Sequence, residues 1–134
     1  MAGYSQTPLV KKLGLKEENR FFVSGLSKDY TALIGEFPTQ AIQVSRLSKN
    51  LDFIHYFTKS REQLESFIPK AINYIKRDGV IWISWPKKAS RIASDVSEDT
   101  IREIALPLGL VDVKVCAIDD IWSGLKLVIR KELR

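Results

Sequence analysis

Cysteine is all but missing from this chain: Cys116 stands alone among 134 residues. A single thiol excludes an internal disulfide and any cysteine metal cluster, so a reducing, cytoplasmic setting is the expectation. Histidine is equally scarce, with His55 the sole example. A metal site would therefore have to come from carboxylates, and no calcium-loop spacing occurs, so none is expected. No apolar run approaches the ~20 residues of a membrane span. The start, Met1 to Pro8, also lacks the basic-then-apolar order of a secretion signal. Neither an internal repeat nor a low-complexity segment is visible.

What is present is ordinary in amount and informative in pattern. The net charge of +5 comes from 21 basic and 16 acidic residues, shared between the two halves with no basic tail. Nucleic-acid binders usually gather Lys and Arg on one face or element, so this diffuse excess gives such a partner little support. The length suits one domain, and residues 1–134 are expected to form a single one.

Thr7 and Pro8 read as a helix start and Gly14 as its end, enclosing Leu9 to Leu13. Phe21 to Val23 suits a first buried strand that ends in the turn at Ser24-Gly25. Ser27 is placed to cap a helix through Tyr30, Leu33, Ile34 and Phe37, which Pro38 stops. Ala41 to Ser45 reads as a second strand. Asp52 to Phe57, apolar on both faces, reads as a third of the kind that helices cover from both sides. Ser60 and Gln63 form a capping box ahead of Leu64, Phe67, Ile68, Ala71, Ile72 and Ile75, with Gly79 closing the helix and Pro69 on its outer face. Val80 to Trp85 is a fourth strand. Ser97 caps a helix through Ile101, Ile104, Ala105 and Leu108, closed by Gly109. Val111 to Ile118 and Leu125 to Lys131 then form a hairpin, because the link between them is short.

This order implies an α/β fold: a three-layer Rossmann-like sandwich on a mostly parallel sheet of about six strands, ending in an antiparallel hairpin. One junction resists. Only Arg46 to Leu51 separates the second and third strands, and a parallel crossover normally needs a dozen residues. Either the link runs extended across the sheet or the second strand is antiparallel at an edge. If the fifth strand forms the sheet edge, Lys114 and the acids that follow would blunt it, which favours a monomer.

The lead-in Leu13 to Val23 and the final hairpin resemble Rossmann-like S-adenosylmethionine-dependent methyltransferases. That resemblance implies a glycine-rich cofactor turn after the first strand and an acidic residue after the second. Here the turn is Ser24-Gly25-Leu26-Ser27-Lys28, with one glycine, and the second strand is followed by Ser45-Arg46-Leu47. A second resemblance covers nearly the whole chain. Ala2 to Ser5, Thr7 to Leu9, Trp85 to Ser90, Arg102 to Gly109 and Trp122 to Lys126 are similar to segments of a family of short bacterial proteins of unknown function. It implies a small standalone domain and carries no activity with it.

Ligands of open parallel sheets bind outside the carboxyl ends of the strands. The loops there supply the candidate ligand-binding residues: Ser24, Gly25, Ser27, Trp85, Lys87, Lys88, Ser90, Trp122 and Ser123. Lys87, Lys88 and a hydroxyl beside a strand end suit a phosphate or carboxylate, against the plain alternative of solvated loop charges. Trp122 reads as a lid or a contact. His55, mid-strand among aromatics, reads as a hydrogen-bonded core residue, Cys116 as a structural thiol, and Asp119 with Asp120 as turn formers. No catalytic residue and no cofactor follow from this set. The first reading is a non-catalytic binding or regulatory domain that takes a small anion or a protein at this rim. The alternatives are a methyltransferase with an atypical cofactor turn, and a nucleic-acid accessory protein using Trp85 and Trp122 as stacking surfaces.

Overall fold

Six strands order as β2-β1-β3-β4-β6-β5 in one sheet of the computed structural model, which describes residues 8–134. They are β1 (Arg20–Ser24), β2 (Ile42–Val44), β3 (Leu51–Phe57), β4 (Ile75–Pro86), β5 (Leu110–Ala117) and β6 (Trp122–Ile129). The first four run parallel, and β6 inserts antiparallel between β4 and β5. Helices α1 (Leu9–Leu13) and α2 (Tyr30–Ile34) cover one face, with Leu13, Phe21, Tyr30, Ile34, Phe53, Phe57 and Trp82 packed between. Helices α3 (Arg61–Tyr74) and α4 (Glu98–Ala105) cover the other, over Ile54, Leu64, Ile68, Ile81, Ile83, Ile101 and Leu125. The architecture is the expected Rossmann-like sandwich, and β5 is its edge. No helix among the described residues is long and apolar enough to cross a membrane.

The resistant junction resolves as an extended crossing. β2 stops level with Phe22, and β3 begins about two residues below Phe21, so the chain returns only a short way while passing β1. Two strand spacings are about 10 Å, and six residues reach about 20 Å. Arg20 pins the link, its guanidinium donating to the Lys49 carbonyl at 3.0 Å and to Ser48 Oγ at 3.4 Å. Leu47 packs down on the α3 side.

Several boundaries move. Pro8 is the residue before α1 and Thr7 lies outside the described residues. Asp29, not Ser27, precedes α2, which Gly35 ends at φ +87 before Phe37 is reached. Phe37 still packs, edge-on to Phe21 at 5.1 Å. α3 runs into β4 through extended Ile75, so Gly79 is no helix cap; it is a buried strand residue with no room for a side chain beside Ile75 and the Asp52 carbonyl. Half of the Ser60 capping box forms: Ser60 Oγ accepts from the Gln63 amide, while the Gln63 side chain turns to Thr58. Ser97 caps α4 in full, through Thr100.

Candidate functional site

The chain places β2 on one side of β1 and β3 on the other, so the crevice of an open α/β sheet belongs at the carboxyl end of β1. β1 ends at Ser24, and Gly25 turns the backbone at φ +86. A Cβ on Gly25 would overlap the Phe57 carbonyl at the end of β3. The loop thus lies flat against β3. Trp122 stands edge-on to Phe57, with ring centres 5.1 Å apart, and Lys28 Nζ reaches 4.0 Å from Asp119 across the same gap. These contacts span the β3 side of the crevice.

The β2 side is open. A cleft of about 300 Å³ there is lined by Val23, Leu26 and Phe37 as apolar walls, and by Lys28, Asp29, Tyr30, Thr31 and Gln43. The Asp29 carboxylate makes no capping bond to its own helix. It remains available to a ligand hydroxyl or amine.

A buried polar chain fixes Tyr30 from beneath. Tyr30 Oη lies 2.6 Å from His55 Nδ1, and His55 Nε2 lies 2.7 Å from Ser84 Oγ. With the phenol hydrogen on Nδ1, the ring's own proton sits on Nε2 and is donated to Ser84. Complete burial pushes the imidazole down to about 3 and the Tyr30 phenol well up. His55 is neutral and sealed, a positioning group rather than a base. Phe57 stacks on it at 4.1 Å.

The rim residues named from sequence divide. Ser24 is the last residue of β1, and Gly25 and Ser27 belong to the loop that packs on β3 on one side and borders the cleft on the other. Lys87, Lys88 and Ser90 stand at the end of β4, tied to the hairpin by the Lys87 amide donating to the Ile121 carbonyl at 2.7 Å. Ser90 Oγ donates to the Lys87 carbonyl at 2.6 Å and accepts from the Ile92 amide, so its hydroxyl shapes the turn. Trp85 offers the rim no face: it is buried in the α3/α4 core. Trp122 and Ser123 lie inside β6 rather than in a loop. Asp119 is a turn former, accepting from the Ile121 and Trp122 amides. Cys116 is half-buried beside the α1/α2 core. Trp85 is enclosed, whereas Trp122 is half-buried, with its ring edge-on to Phe57.

Sequence reasoning missed Asp29, Tyr30, Phe37 and Gln43. The available signal was the run Ser24 to Asp29 between strand and helix, which extends the rim loop through Lys28-Asp29.

No family model and no curated protein sequence matches the chain. Solved structures do. A fibrillarin pre-rRNA processing protein of Methanococcus jannaschii aligns over 95% of this chain and 70% of its own, at 16% identity and TM-score 0.60. The fibrillarin of Aeropyrum pernix, solved with natively bound S-adenosyl-L-methionine, aligns over 87% of this chain and 69% of its own, at 16% identity and TM-score 0.59. A SAM-dependent methyltransferase from Aquifex aeolicus covers 90% and 87%, at 15% identity and TM-score 0.62. At these identities the shared property is the fold, which is the methyltransferase-like one.

Proposed function

We propose that this chain is a methyltransferase-like domain that holds a nucleoside-type cofactor in the cleft between the β1 loop, α2 and β2. The observation that carries the reading is the open β2 side of the β1 crevice, with apolar walls and a free carboxylate. S-adenosylmethionine is the group that the fold implies, and the nucleoside half of it suits these residues. Leu26 and Phe37 offer apolar walls to a purine, Asp29 accepts from ribose hydroxyls, and Gln43 presents an amide to a ring edge. When bound, the group supplies a transferable methyl on a sulfonium. The neighbours' fold supports this reading over a purely non-catalytic domain.

Calorimetry with S-adenosylmethionine and its demethylated product tests it. Asp29→Asn should weaken binding about tenfold, the scale of one charged hydrogen bond, and leave Tm unchanged because the carboxylate holds nothing in the fold. Absence of heat with both ligands at millimolar concentration would remove the reading.

A second element of the rim takes an anionic substrate or partner through Lys87 and Lys88. It rests on the exposure of Lys88, the partial exposure of Lys87, and the clamping of their loop to the hairpin. Replacing both lysines with alanine should leave Tm nearly unchanged and weaken capture of an anionic acceptor. A large fall in Tm with capture intact would sink this assignment.

A further inference from the structure

Positive charge that is diffuse in the sequence is gathered in the fold. On the α3/α4 side Arg61 pairs with Glu65 and Glu103, and Arg102 with Glu98, Asp99 and Asp112; at the start of β4 Lys76 pairs with Asp52. On the opposite face three lysines meet without such partners. The sheet register sets Lys114 on β5 opposite Lys126 on β6, and Lys126 beside Trp82 on β4. The Trp82 indole donates to the Leu13 carbonyl at 2.8 Å, which brings the segment leading to Lys16 over the same corner. Among the described residues none of these three ammonium groups makes an ion pair. Burial, then Lys114 and Lys16, hold the Lys126 ammonium below its ordinary range.

Like charges set opposite each other on paired strands are destabilising. Among the described residues no carboxylate pairs with either lysine, so an external anion would supply the counterpart. We propose that Lys16, Lys114 and Lys126 form a binding site for a chain of phosphates. Two lysines paired across β5 and β6, with the Lys16 segment brought to the same corner, call for a ligand with several charges, and lysine meets phosphate as a point charge. Trp82, the ring beside Lys126 in the sheet, is fully buried and offers no face for a base to stack on, so recognition rests on the phosphates. The same chemistry is found in free polyphosphate and in the backbone of a nucleic-acid strand.

The two sources separate by measuring tripolyphosphate by calorimetry and a labelled single-stranded oligonucleotide by anisotropy, both at low salt. At least one should bind, and the Lys16→Gln, Lys114→Gln, Lys126→Gln triple variant should bind at least about tenfold more weakly. For a strand, the slope of log affinity against log salt should be about −2 for three contacts and shrink by about 0.7 for each lysine removed. Lys126→Gln alone should raise Tm, since it removes repulsion, whereas a lysine kept for packing would lower it. Binding of the strand alone assigns a nucleic-acid backbone, and binding of tripolyphosphate with displacement of the strand assigns free polyphosphate. No binding of either, or a triple variant that binds as the wild type does, overturns the proposal.

Discussion

Acidification from pH 6.5 to 4 should cost the fold about 3 kcal/mol through one residue, and to pH 3 about 4 kcal/mol. His55 is the chain's single histidine, fully buried, with its imidazole held down to about 3 against an ordinary 6.5. The unfolded chain binds a proton below 6.5 and the folded chain does not until about 3. Unfolding is therefore favoured as pH falls through that window, and above it His55 contributes no pH dependence. Urea titrations at half-unit steps of pH should show this slope. His55→Gln, which keeps an amide near Tyr30 and Ser84, should flatten it between pH 6.5 and 4.5 even though the variant is less stable overall. An unchanged slope in that variant would show that the histidine is not the group responsible.

Gly25→Ala should be the most damaging single methyl in the chain. The residue carries φ +86, which costs an L-residue about 1–2 kcal/mol, and the added carbon falls on the Phe57 carbonyl. Relieving that overlap lifts the loop off β3 or displaces the strand end. A total of about 4 kcal/mol, or about 15 °C in Tm, is expected. Gly14 is the control, with φ +81 and open space for 4 Å around the position a Cβ would take. Gly14→Ala should show the backbone term alone, about 1 kcal/mol. Equal losses at the two sites would mean that the contact with Phe57 is not what sets the loop.

The elements that were legible are those whose burial is one-sided or complete. The stripe Leu64, Phe67, Ile68 and Ala71 gives α3, and the doubly apolar run to Phe57 gives β3 with helices on both faces. The hairpin followed from the short link between its strands. Illegible were features set by contacts distant in sequence. Gly79 follows a helix as a cap would, but its place is decided by Asp52 and Ile75 across the sheet. Trp85 has a loop-like neighbour in Pro86, yet the parity of β4 turns it into the α3/α4 core. The candidate site was half visible. Its loop was chosen for Ser24 and Gly25, while Phe37 and Gln43 reach the cleft only because β2 lies beside β1. The lysine corner was hidden for the same reason, since Lys16 and Lys126 are brought together by Trp82.

The central claim is that the open side of the β1 crevice holds a nucleoside-type cofactor, and amide chemical-shift mapping with S-adenosylmethionine tests it most directly. The expected result is saturable shifts at Val23, Leu26, Asp29, Thr31 and Gln43, which line one cleft, with Asp29→Asn weakening the titration. No shifts at millimolar ligand, or shifts confined to the loop from Lys87 to Arg91, would contradict it.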